Sequence, residues 1–123
     1  MKPRFVRGKC EPTAVTPEWL ARAHKKRNKN YPVAKWLHFL DVMAAHGVAC
    51  RVYIAKSSVS KYVYADANGV TVKLRFSEHP PNRAQIESKD SDIYVGVSSQ
   101  YTCTTDMAIA ATLKRLGVQN ASN

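Results

Sequence analysis

Apolar residues recur along this chain in two rhythms, and the change from one to the other divides it. Val33, Trp36, Leu37, Leu40, Met43 and Ala44 follow the i, i+3, i+4, i+7 spacing of a helix with one buried stripe. This predicts a helix from Pro32 to about His46, closed by Gly47, a residue suited to a left-handed C-terminal position. Phe39 and Val42 fall off the stripe and predict a second contact, toward a preceding helix. That helix is expected from Pro17 to about Arg27. Thr16 supplies a capping hydroxyl, Pro17 takes the first helical position and Glu18 puts a carboxylate in the first turn. Trp19, Leu20 and Ala23 are its apolar contacts. The run Lys25-Lys26-Arg27-Asn28-Lys29-Asn30 sets cations at the negative pole of its dipole.

Beyond Gly47 the period drops to two. Ala49–Ala55 alternates Cys50, Val52 and Ile54 against Arg51, Tyr53 and Ala55. Lys61–Asp66 is rich in Tyr and Val, and Asn68-Gly69 is a strong hairpin signal. Val70–Ser77 then sets Val70, Val72, Leu74 and Phe76 on one face and Thr71, Lys73, Arg75 and Ser77 on the other. The second face is expected to be wet and basic, as in an antiparallel meander with one solvated side. His79-Pro80-Pro81-Asn82 breaks the sheet, since proline cannot donate to a ladder. Arg83–Asp92 reads as a loop, Ile93–Val97 as a short fourth strand, and Asp106 to Leu116 as a final helix. That helix is capped by Thr104 or Thr105, buried along Ile109, Leu113 and Leu116, and ended by Gly117. The fold class is therefore α+β: an antiparallel three- to four-stranded sheet with helices packed on one face. The expected organisation is a flexible basic arm over residues 1–15, one domain over 16–118 and a frayed tail over 119–123.

Charge changes the picture more than composition does. Of 123 residues, 19 are Lys or Arg and 9 are Asp or Glu, a net charge of +10. Residues 1–35 hold ten of the basic residues against Glu11 and Glu18, a net +8, so the remaining 88 residues contribute only +2. Such a lopsided field attracts polyanions and weakens with salt. The expected partner is nucleic acid, RNA or DNA. Its phosphates would meet Lys25, Lys26, Arg27 and Lys29 at the end of the first helix, and Lys61, Lys73, Arg75, His79 and Arg83 on and beside the sheet. Ser57-Ser58-Val59-Ser60-Lys61-Tyr62 can grip phosphate or sugar, or form a polar turn whose serines bond their own backbone. Tyr53 and either Tyr62 or Tyr64 are candidates to stand beside Lys73 and Arg75, an arrangement suited to stacking with single strands.

Other chemistries find little support. Cys10, Cys50 and Cys103 are odd in number and widely spaced, which fits neither a disulfide framework nor a zinc knuckle. A reducing, cytoplasmic setting is the expectation. No cofactor is implied: there is no Gly-rich phosphate loop, and His24, His38, His46 and His79 lack metal-ligand spacing. No apolar run approaches the length of a membrane span. His79, beside Glu78 and Ser77 at a strand end, is the one candidate for a small nuclease site. The alternative to nucleic acid is a phage-type modulator of a host enzyme or defence complex. It would dock on an acidic protein surface through Trp19, Phe39 or a tyrosine.

Two resemblances bear on these readings. A helix, three antiparallel strands and a helix resemble the order of double-stranded-RNA-binding domains. The stretch from His46-Gly47-Val48 through Ser58-Val59-Ser60-Lys61-Tyr62-Val63-Tyr64 and Asn68-Gly69 to Arg75-Phe76-Ser77-Glu78-His79-Pro80 is similar to messenger-RNA-cleaving toxins of the HicA type. That family's catalytic histidine would fall near Ser60 or Lys61, where none stands, so the resemblance implies a fold and a nucleic-acid-facing surface without the cleavage chemistry. Arg75-Phe76-Ser77-Glu78-His79 is also similar to an Arg-Ile-Ser-Asp-His strand end in small uncharacterised bacteriophage proteins, and implies no activity.

Overall fold

A computed structural model describes residues 12–26, 31–53, 60–96 and 100–118. Most of the expected arm, Arg27, Lys29, Ser57, Ser58 and the expected tail lie outside the described residues. The elements run β1 (Thr13–Ala14), α1 (Pro17–Lys25), α2 (Tyr31–Ala45), β2 (Ala49–Tyr53), β3 (Lys61–Ala67), β4 (Val70–Ser77), α3 (Arg83–Ser88), β5 (Ile93–Gly96) and α4 (Thr105–Leu116). The fold is α+β, with one mixed five-stranded sheet ordered β1-β2-β3-β4-β5.

Local signals in the sequence account for most element ends. Thr16 Oγ1 accepts the Trp19 N–H at 3.0 Å and opens α1 behind Pro17. Thr104 Oγ1 accepts the Met107 N–H at 3.1 Å and opens α4. Gly117, at φ 71, closes α4 in the left-handed region, and the Val118 N–H returns to the Leu113 carbonyl at 2.9 Å. Asn68 and Gly69, at φ 54 and 76, form the tight turn between β3 and β4, whose seven residue pairs run from Lys61↔Phe76 to Ala67↔Val70. The Asn68 side chain donates to the Leu116 carbonyl at 2.7 Å, tying the hairpin tip to the end of α4.

The core lies between one sheet face and the pair α2 and α4. Val52, Val63, Val72, Leu74 and Phe76 meet Leu37, Phe39, Leu40, Met43, Ala108, Leu113 and Leu116 there. The second contact expected of Phe39 exists but is made elsewhere. Phe39 is fully buried against Phe76 of β4, ring centroids 5.5 Å apart, whereas Trp36 and Asp41 meet α1, at Trp19 and His24. Helix α2 is enclosed by the sheet, α1 and α4, so apolar residues outside one stripe are buried, while Ala44, placed on the predicted stripe, is exposed.

Several expectations are corrected. The sheet has five strands, because Thr13–Ala14, inside the expected arm, pairs antiparallel with β2 in the register Thr13↔Val52 and Ala14↔Arg51. It is mixed, because β5 runs parallel to β4, from Leu74↔Ile93 to Ser77↔Gly96. Residues 78–92 supply the crossover that parallel neighbours need. That connection is no plain loop. Asn82 and Gln85 form a reciprocal capping box, each side chain accepting the other's backbone N–H at 2.9 Å, and nucleate α3. Nor are the helical segments confined to one face. The Tyr94 hydroxyl donates to the Gln85 carbonyl at 3.0 Å, and Tyr62 donates to Asp90 Oδ2 at 3.4 Å, so the α3–β5 segment lies over the sheet face opposite the core.

Gly96 is where this crossover meets the sheet. A Cβ there would collide with the Ser77 backbone carbonyl, whereas one at Gly69 would meet nothing within 4 Å. Gly69→Ala is expected to cost about 1 kcal/mol through its left-handed backbone alone. Gly96→Ala is expected to cost about 2–3 kcal/mol, because strand backbone must shift. Urea denaturation of both variants measures the difference.

Candidate nucleic-acid interface

Trp19, Arg22, Ala23 and Lys26 stand at i, i+3, i+4 and i+7, so a tryptophan and two cations share one face of α1 and its C-terminal cap. That face looks onto α2. None of the residues of α1 is fully buried, and between the two helices lies a cleft of about 360 Å³. Trp19, Arg22, Ala23 and Lys26 line it from α1, Val33, Trp36 and Leu37 from α2, and Lys61 from the start of β3. The two indoles meet edge to face, centroids 5.6 Å apart at 87°. Lys61 Nζ sits 5.7 Å from the centre of the Trp36 ring, a cation–π contact. Trp36 itself is 6% exposed, and its buried Nε1–H has no acceptor among the described residues. Three cations therefore line a cleft whose described walls carry no carboxylate. Among the described residues none of the three forms an ion pair.

The other predicted contacts are dispersed. Lys25 is exposed at the end of α1, beside Lys26, while Arg27 and Lys29 lie outside the described residues. Lys73 is exposed on the opposite sheet face, its Nζ 5.9 Å from the centre of the Tyr64 ring. Arg83 projects from α3 and is paired with Glu87 at 2.9 Å, one helical turn on. His79 is exposed in the turn after β4, where its backbone N–H donates to Ser77 Oγ at 3.1 Å. No described carboxylate is in ion-pair contact with its ring.

Arg75 is corrected outright. It is only 7% exposed, and Ser77 beside it 4%, so this end of the supposedly wet face is dry. The α3–β5 segment and Tyr94, paired with Arg75 across the parallel strands, lie on that face. The Arg75 Nε–H donates to Ser60 Oγ at 3.1 Å, and its Nη1 has no acceptor among the described residues. A phosphate has no open path to such a guanidinium. Further along the same face Asp66 neutralises Arg51. Arg51 donates to both oxygens of Asp66 at 2.8 and 2.9 Å, and Thr71 donates to Asp66 Oδ1 at 2.6 Å. Hydrogen bonding from Arg51 holds the Asp66 carboxyl below the usual carboxylate range. The strand register places Tyr53, Tyr62 and Tyr64 all on this face. They are partly used up in the protein's own contacts: Tyr53 donates to the Tyr64 hydroxyl at 2.9 Å, and burial, reinforced by that bond, pushes Tyr53 up to about 12. Phe39, proposed as a docking anchor, is fully buried.

Sequence reasoning named Lys26 and Lys61, and Trp19 as an anchor for a protein partner, but missed Arg22 and Trp36. The signal was present, since Arg22 and Lys26 share the helical face of Trp19. It was obscured because those tryptophans also read as core. Scanned against protein-family models, the chain matches none, and no curated protein or solved structure matches it either.

Two expectations test this geometry. Among the described residues Arg75 has no carboxylate partner to orphan, so Arg75→Met is expected to change stability by no more than about 1 kcal/mol, far less than the 3–5 kcal/mol lost on breaking a buried ion pair. Thermal and urea denaturation give the value. Burial, followed by the charge of Asp66, pushes the Cys50 thiol up to about 12. In the native protein at pH 8, Cys50 is expected to resist a thiol reagent and to be labelled only after denaturation, as read by peptide mass mapping.

Proposed function

We propose that this chain is a nucleic-acid-binding domain that grips backbone phosphate in the cleft between α1 and α2. The observation that carries the reading is the convergence of Arg22, Lys26 and Lys61 on one concave surface with no carboxylate among its described lining residues. A cation held away from acids keeps its full field for a mobile anion, and low-dielectric walls on either side strengthen that field. Arg51 and Arg83, by contrast, already spend theirs on Asp66 and Glu87. Lys25 adds to the positive rim, and the charge excess of residues 1–35 supplies the long-range attraction. The interface thus sits at the α1 end of the molecule rather than across the exposed sheet face. Binding without catalysis is the activity this arrangement supports.

Binding of a labelled oligonucleotide, followed by anisotropy between 50 and 200 mM salt, is expected to weaken by at least about tenfold. Single replacements Arg22→Gln, Lys26→Gln and Lys61→Gln are each expected to weaken it severalfold and flatten the salt dependence by about 0.7–0.9 of a log unit per log unit of salt. Arg83→Gln is expected to change affinity less than about twofold, as an already paired surface charge does. Absence of any complex at 50 mM salt would defeat the proposal. A stoichiometric protein partner retained after nuclease treatment would transfer the same cations to an acidic protein surface.

A further inference from the structure

We infer that the occupant of the α1–α2 cleft is a single unpaired nucleotide, its base against Trp19 and its phosphate among Arg22, Lys26 and Lys61. This rests on the nucleic-acid reading and narrows it. A phosphate alone needs only a shallow cationic rim. The cleft is about 360 Å³ in volume, within the range of small-molecule sites, and five of its eight described lining residues are apolar: Trp19, Ala23, Val33, Trp36 and Leu37. Apolar and aromatic wall gives a phosphate nothing, but it gives a nucleobase a dry surface and a π-face.

The arrangement also selects the state of the base. In a duplex both faces of each base are covered by its neighbours, so a concave aromatic site can be entered only by a base free of its stack. Trp19 is prepared for that contact. It is half-buried and braced edge-on by Trp36, which is itself 6% exposed, so little side-chain freedom remains to be lost on binding. Lys61 reaches the cleft from β3 and the other two cations from α1, so a phosphate there is met from two elements. The shared ligand chemistry is a base joined to a phosphate, whether within a strand or as a free nucleotide.

Tryptophan fluorescence of the full chain, titrated at one ionic strength with four ligands, tests this. The ligands are a single-stranded oligonucleotide, an abasic oligonucleotide of equal length, a duplex and a nucleoside 5′-monophosphate. The base-bearing single strand is expected to quench the emission and to bind tighter than the abasic strand by between about 5- and 150-fold, the worth of one stacked base. The duplex is expected to follow the abasic strand. Trp19→Ala is expected to remove the advantage of the base-bearing strand, and Trp19→Phe to restore part of it. A monophosphate that matches the single strand supports the pocket and makes its source a free nucleotide; one weaker by more than about 100-fold supports the pocket with a strand as source, through the added phosphates. Equal binding of abasic and base-bearing strands overturns the inference while leaving the phosphate grip intact. Failure of every ligand to bind overturns both. The comparison among ligands uses the unaltered protein, so it stands even if a Trp19 variant does not fold.

Discussion

Enclosure of the C-terminal half of β4 on both faces is the constraint from which the rest of the structure follows. One face, through Val72, Leu74 and Phe76, is sealed by α2 and α4. The other, through Arg75 and Ser77, is buried beside the α3–β5 crossover. Its two edges are occupied as well, by β3 running antiparallel and β5 running parallel. A slip of one residue would drive Lys73 and Arg75 under the helices, so register is fixed with great force. Asp92 reinforces it from the entrance of β5: its carboxylate accepts the Lys73 N–H at 2.9 Å and its own N–H donates to the Lys73 carbonyl at 2.9 Å. With β4 fixed, the hairpin places Lys61 beside α2, and α2 places Trp36 beneath α1.

The parts of this fold legible in the sequence are those whose stability is local or periodic. Helix α2, the Asn68-Gly69 hairpin and α4 each carry a repeated apolar spacing or a turn that few other conformations satisfy. The parts not legible depend on partners distant in the chain. Strand β1 is two residues long and exists because Val52 and Arg51 offer backbone partners. Helix α3 contains one large aliphatic residue, Ile86, and its evidence lies in Asn82 and Gln85, a capping box outside any hydrophobic rhythm. Alternation in β4 correctly separated two faces, but alternation reports only that the faces differ. Which of them a crossover later covers is decided by tertiary structure, and so Arg75 is dry.

The candidate site divides along the same line. Charge located the cationic stretch over residues 1–35 and with it Lys26, and Lys61, beyond that stretch, was legible as a basic residue beside the sheet. What charge could not reveal is geometry: Lys61 points to the helix side of the sheet, with Val63 and Ala65, while Lys73 and Arg75 belong to the reverse side. Residues that looked like one basic surface are thereby separated by the thickness of the sheet. Conversely, Arg22 gained a role only when α1 docked on α2. The His24–Asp41 contact, 2.9 Å from Nε2 to Oδ1, is one of the links that hold those helices together and keep the cleft at its width.

The order of the strands also governs how this protein meets copies of itself. Among the described residues the sheet ends in its shortest members, β1 with two residues and β5 with four. The outer side of β5 is itself partly occupied, because the Cys103 N–H donates to the Tyr94 carbonyl at 2.9 Å. The long strands, whose open backbone would template fibrous growth, are all interior. A chain so rich in Tyr and Val therefore presents an intruding strand with almost no ladder to extend, and resistance to edge-to-edge polymerisation is built into the topology rather than left to surface charge.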